Sequence, residues 1–129
     1  GTSELYRVVE NIEGIMECLA IDQNYKEDTR VILFIRLKKG YRFSESLKNK
    51  IKKNIKFNLS PRHIPAKIID VNDIPKTKSG KIVELTIKKL SKKEKIDNLD
   101  SLSNPDCLKE YREKSSSVVQ RYLDIRGHL

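Results

Sequence analysis

Seven consecutive residues, Pro75-Lys76-Thr77-Lys78-Ser79-Gly80-Lys81, bring together three ammonium groups, two small hydroxyls, a proline and a glycine. Proline has no backbone N–H to continue a ladder, and glycine reaches backbone angles closed to residues with a Cβ. Such a segment suits core packing poorly. It is well suited to presenting a cation to an anionic group outside the domain. Gly80-Lys81 invites comparison with a phosphate-cradling P-loop. That motif needs a glycine five positions before its second glycine and a Ser or Thr after the lysine. Those positions hold Pro75 and Ile82, so a phosphate cradle built by this segment alone is not expected. Two readings stay open on spacing: a lysine placed for chemistry, and a solvated loop in a lysine-rich chain, because charge runs usually solvate a face.

Other chemistry-bearing residues are sparse. His63 and His128 are the two histidines, and Cys18 and Cys107 the two cysteines. They form no recognisable ligand spacing, so no metal site is expected. Two cysteines are too few for a disulfide framework. Cys18 lies in the apolar run Met16-Glu17-Cys18-Leu19-Ala20-Ile21, where a buried small side chain is expected rather than a reactive thiol. The expected setting is reducing and cytoplasmic. No apolar stretch approaches the roughly 18 residues that cross a bilayer, so no membrane partner is expected.

The 129 residues carry 27 Lys and Arg against 18 Asp and Glu, a net charge of +9. A surface of this sign attracts phosphorylated small molecules, nucleic acid or acidic lipid. Aromatics are only 6% and tryptophan is absent, so no base-stacking platform is visible. A basic module holding nucleic acid or a partner protein is the alternative from another class, and no nucleic-acid partner is expected.

The elements that must hold the lysine loop follow from apolar spacing. Leu5, Val8, Val9 and Ile12 predict a helix, with Thr2 or Ser3 as its cap and Gly14 as its stop. Ile15 to Ile21 reads as a strand and Asp22 to Asp28 as a polar turn. Val31-Ile32-Leu33-Phe34-Ile35 is a continuous apolar run, which predicts a central strand covered on both faces and paired antiparallel with the first. Leu47, Ile51, Ile55 and Leu59 recur at helical spacing among Lys48, Lys50, Lys52 and Lys53, an amphipathic helix with a basic outer face ended by Pro61. Ala66 to Val71 reads as a third strand. Val83, Ile87 and Leu90 predict a further helix after the loop. Past Leu90 the chain turns polar; Asn104-Pro105-Asp106 reads as a cap opening a short helix through Tyr111, and Ser115-Ser116-Ser117 as a linker before Val118, Val119, Tyr122 and Ile125. The order predicts an α+β fold, a small mostly antiparallel sheet of about three strands flanked by helices.

Ile74-Pro75-Lys76-Thr77-Lys78-Ser79-Gly80-Lys81-Ile82 resembles the signature near the C-terminus of the adenylate-forming superfamily of acyl-CoA synthetases, peptide-synthetase adenylation domains and luciferases. Gly1-Thr2-Ser3-Glu4-Leu5-Tyr6 is similar to the start of that family's C-terminal lid domain, where Gly-Thr-x-Glu leads into the first helix. The two motifs stand in the family's order, and the likeness covers residues 1–90. Leu59-Ser60-Pro61-Arg62-His63-Ile64-Pro65 is similar to the Leu-Ser-Pro-Arg-His-Val-Pro segment of the acetoacetyl-CoA synthetase subfamily. Leu99-Asp100-Ser101-Leu102-Ser103-Asn104-Pro105 resembles that subfamily's tail, which makes residues 91–111 a C-terminal extension with a short helix. Acetyl- and propionyl-CoA synthetases share the lysine loop but are less similar at both places. Residues 112–129 are an unassigned tail.

The resemblance implies an acid–thiol ligase that joins a carboxylate to ATP and then passes the acyl group to coenzyme A. Acetoacetate is the implied acid, with another short-chain carboxylate as the alternative. The implied partner is a larger N-terminal adenylation domain of the same chain, with Mg2+ serving the full-length enzyme and nothing bound by this piece alone. By its place in the motif Lys81 is the implied catalytic residue, and Gly80 and Lys81 contact ATP and substrate. Lys56 and Arg62 are candidates for coenzyme A phosphates, against the plainer reading that exposed lysines solvate their helix and Arg62 anchors a turn. His63 is expected to serve the turn rather than acid–base chemistry.

Overall fold

The computed structural model describes residues 2–92, 94–96 and 99–114. It divides into two compact units, residues 1–74 and 75–129. The expected linker at 115–117 and the last amphipathic segment lie outside the described residues, as does Gly1.

The first unit is built around a three-stranded sheet in the order β1-β2-β3. Helix α1 (Thr2–Glu10) leads into β1 (Ile15–Tyr25), followed by β2 (Asp28–Leu37), α2 (Glu45–Asn58) and β3 (Lys67–Asp70). The first helix starts at Thr2, so Thr2 and Ser3 stand inside it and not at its cap. β1 and β2 pair antiparallel from Ile15↔Leu37 to Tyr25↔Asp28. The expected seven-residue turn is therefore a two-residue turn, Lys26 and Glu27, at φ 49° and 64°. Positive φ at both positions matches the right-handed twist of a tight hairpin. The usual residues there are Asn and Gly, and their absence hid the turn from the sequence.

β2 and β3 pair parallel, Ile32↔Lys67 through Ile35↔Asp70. α2 runs between them and returns the chain to the end where β2 began, which a parallel pair requires. As its continuous apolar run predicts, β2 is central, and Ile32, Leu33, Phe34 and Ile35 are all buried. Leu33 and Ile35 join Leu5, Val9, Ile12, Cys18, Ala20, Ile51, Ile55 and Ile68 in one core. Burial of a side chain such as Ile51 or Ile55 stabilises the fold by roughly 1.5–3 kcal/mol.

Polar contacts finish the unit. Ser44 Oγ accepts from Leu47 N at 3.1 Å and caps α2. β1 is an edge strand, and its Ala20 N–H donates to the Tyr6 hydroxyl at 3.0 Å. Arg36 Nη1 meets Glu17 Oε2 at 2.9 Å and Asp73 Oδ1 at 3.7 Å. Asp73 Oδ1 also accepts from Ile74 N at 2.9 Å, so the last residues before the lysine loop are tied to the sheet. Desolvation in the core raises the Cys18 thiol far above its ordinary range, with Glu10 and Glu17 adding to the effect.

The second unit holds the lysine loop, α3 (Glu84–Ser91), two 3₁₀ turns at Leu99–Ser101 and Pro105–Cys107, and helical residues 108–114. Ile87, Leu90, Leu102, Leu108 and Tyr111 are buried in it.

Candidate functional site

The lysine loop is a closed hairpin. Lys76 and Ile82 face each other as an antiparallel bridge. Val83 N donates to Pro75 O at 3.0 Å and Thr77 N to Lys81 O at 2.8 Å. At the tip, Gly80 N donates to Thr77 O at 2.9 Å. Gly80 has φ +89°, with nothing within 4 Å of where a Cβ would stand. A three-residue loop closed by a glycine of positive φ is a standard hairpin solution, and it dictates glycine for backbone reasons alone. The Thr77 hydroxyl accepts from Lys81 N at 3.1 Å and lies 3.0 Å from Ser79 Oγ. Both hydroxyls are thus spent on the turn itself.

Thr77 holds the backbone of Lys81 twice, its N–H donating to Lys81 O and its hydroxyl accepting from Lys81 N, while the Lys81 side chain is exposed. No hydrogen bond or ion pair holds its Nζ among the described residues. The arrangement presents an ammonium group on a flexible four-carbon stem from a fixed base. Such a group can neutralise an anionic oxygen brought to it from outside.

The second arm of support was not visible in the sequence. Thr77 bridges Leu102, Ser103 N donates to Lys76 O at 2.9 Å, and Asn104 Oδ1 accepts from Lys76 N at 2.9 Å. Ser103 and Asn104 come from the stretch read as a tail with a helix cap, but Asn104 makes no side-chain cap bond and its oxygen accepts from Lys76 N instead.

Lys56 and Arg62 belong to the first unit, whereas Gly80 and Lys81 belong to the second. Lys56 lies exposed in the last turn of α2, and Arg62 lies exposed in the 3₁₀ turn Pro61–His63. Arg62 and His63 also line a cleft of about 200 Å³ with Thr2, Leu5, Ala20, Asp22 and Val31. His63 Nδ1 is 2.7 Å from Ser60 Oγ, and its backbone N donates to Ser60 O at 3.1 Å. That ring completes a turn. Among the described residues no group of three His, Cys, Asp or Glu side chains could hold a metal ion. No described helix is long and apolar enough to cross a membrane.

Known proteins are similar to this chain. The family described as AMP-binding enzyme C-terminal domain matches residues 7–81, a span that ends on the hairpin lysine. The acetoacetyl-coenzyme A synthetase of Rhizobium meliloti (strain 1021) is 46% identical over 108 residues, covering 84% of this chain and 17% of that protein. The acetoacetyl-CoA synthetase of Xenopus tropicalis is 39% identical over 113 residues, covering 87% of this chain and 17% of that protein. Among solved structures, the acetoacetyl-CoA synthetase from Streptomyces lividans superposes with a TM-score of 0.82 at 35% identity, covering 91% of this chain and 18% of that one. The chain therefore spans about one sixth of the length of these relatives, 17% of the two curated proteins. With the family match reaching over more than half of its residues, the chain belongs to the AMP-binding enzyme C-terminal domain family.

Proposed function

We propose that this chain is the lid domain of a larger ATP-dependent acid–thiol ligase, and that Lys81 is its contribution to the chemistry. The observation that carries this is an exposed ammonium group, unengaged among the described residues, on a hairpin closed by cross-arm and tip hydrogen bonds, at the end of the family match. In the first half-reaction a carboxylate oxygen attacks the α-phosphorus of ATP, forming the acyl-adenylate and releasing pyrophosphate. Two anions must meet, and negative charge builds on the phosphate oxygens. Lys81 would contact the substrate carboxylate and those oxygens in a water-poor closed site, where one fixed cation is worth most. Gly80, with no side chain, would let the hairpin tip approach the nucleotide. In the second half-reaction the sulfur of coenzyme A attacks the acyl carbon and AMP leaves.

The names of the relatives support acetoacetate as the acid, with other short-chain acids as the alternative. ATP and coenzyme A are then co-substrates. Magnesium would be held by the larger N-terminal adenylation domain, because the described residues here do not fit a metal. The lid would comprise residues 1–90, with 91–111 as an extension and 112–129 as a tail. Lys56 and Arg62, on the first unit, are proposed contacts for coenzyme A phosphates. The location would be cytoplasmic, with neither nucleic acid nor membrane as partner.

The deciding experiment is a panel of carboxylates assayed on the full-length ligase, with Lys81→Ala beside it. Carboxylate-dependent pyrophosphate release should be strongest with acetoacetate and should fall about 10²-fold or more in the variant. Thioester formation from supplied acyl-adenylate should persist. Equal loss of both half-reactions in a folded variant would refute the role given to Lys81.

A further inference from the structure

An isolated two-stranded hairpin is marginal in water, and three strands are usually needed for it to hold its shape. The lysine hairpin is joined by a third segment, from the extension, through the isolated bridge Thr77↔Leu102. Lys76 pairs with Ile82 so that its own N–H and C=O point away from the hairpin partner. Both groups are taken up 27 and 28 residues downstream. The carbonyl accepts from Ser103 N at 2.9 Å and from Ser103 Oγ at 3.3 Å, and the N–H donates to Asn104 Oδ1 at 2.9 Å. Leu102, next in line, is 5% exposed and bridges Thr77. Pro105 follows directly and disfavours helical backbone at Asn104, which stands at φ -137° and ψ 58°.

We propose that Asn104 is a positioning residue for Lys81, with Ser103 as its backbone companion: together they brace the outer arm of the hairpin and so fix where its catalytic lysine stands. Thr77 is the shared joint. Its N–H holds Lys81 O on one side, its hydroxyl receives Lys81 N, and the bridge to Leu102 holds it on the other. Loss of the Asn104 acceptor leaves Lys76 N–H without its partner and frees the joint. The extension thereby becomes part of the adenylation apparatus; this assignment rests on the role proposed for Lys81.

The test uses the full-length ligase with Asn104→Ala, Asn104→Asp, Ser103→Ala and Lys81→Ala. Asn104→Ala should slow adenylation about tenfold, the scale of one lost hydrogen bond that leaves a partner unsatisfied. Thioester transfer from supplied acyl-adenylate should stay within about twofold, since uniform damage to the fold would lower both. Asn104→Asp retains the accepting oxygen and should recover most of the rate. Ser103→Ala keeps the backbone bond and should change little. Wild-type adenylation in Asn104→Ala, or parallel loss of both half-reactions, overturns the proposal. Should Lys81→Ala adenylate normally, the role of the lysine fails and the brace is judged by amide exchange. Faster exchange at Thr77 and Gly80 in Asn104→Ala then supports the brace, and unchanged exchange overturns it.

Discussion

The basic face of α2 and the 75–81 hairpin are both lysine-rich, but they hold their lysines in opposite ways. Lys50, Lys52, Lys53 and Lys56 are exposed along a helix whose other side buries Ile51 and Ile55. Their spacing follows from keeping that stripe apolar, so one lysine can replace another with little consequence. The hairpin has no apolar stripe to serve. Its glycine of positive φ, its Thr77 hydroxyl and its three cross-arm and tip backbone hydrogen bonds all define one backbone path, and Lys81 lies at its end. Equal local charge therefore does not mean equal constraint. A solvating lysine is set by what its helix buries, while a presented lysine is set by what its backbone cannot do otherwise.

The comparison breaks most sharply at the two lysine sets. Lys81→Ala should cost on the order of 3 kcal/mol of transition-state stabilisation, about 10²-fold or more in pyrophosphate release by the full-length ligase. The double variant Lys52→Gln, Lys53→Gln should leave that rate unchanged and alter stability by less than about 0.5 kcal/mol in urea denaturation. A large rate loss in the helix variant would erase the distinction.

The two turn-forming residues sharpen it next. Gly80→Ala has open space around the new Cβ, so its cost is backbone strain alone, roughly 1–2 kcal/mol for a residue forced to positive φ. Adenylation should fall with it. Ser44→Ala removes the cap of α2 and should cost about 1 kcal/mol of stability, with both half-reactions intact. The basic face itself is tested by Lys56→Gln with Arg62→Gln, which should raise KM for coenzyme A several-fold and leave adenylation alone. An unchanged KM would return both residues to solvation and turn anchoring.

The smallest effect lies in the core beneath. Burial holds the Cys18 thiol protonated in the folded chain, whereas the unfolded chain releases that proton near the ordinary thiol value of 9.0. The unfolded state then binds fewer protons, so this contribution to stability is complete below that pH and declines above it. Denaturation midpoints of wild type and Cys18→Ala from pH 7 to 10 should converge slightly as pH rises. Cys18 should also alkylate more slowly in the native chain than half-buried Cys107.

Much of the fold was legible because burial and period coincide. Val31 to Ile35 announced a strand buried on both faces, and it is the central one. Ile51 and Ile55 announced the inner face of α2. The hairpin at Lys26 and Glu27 was not legible, since its geometry overrides the preferences of the residues that occupy it. The parallel pairing of β3 was left open by a four-residue strand whose direction depends on the path of α2.

The site divides along the same line. Gly80 and Lys81 could be named from local chemistry and motif alone, because a lysine beside a turn glycine is a property of adjacent residues. Ser103 and Asn104 could not, because their bonds to Lys76 join positions 27 and 28 residues apart. A one-dimensional pattern records which groups a chain carries and how it bends nearby. Which distant backbone oxygen or N–H a side chain satisfies is settled only when folding brings the two together and excludes water from their alternatives.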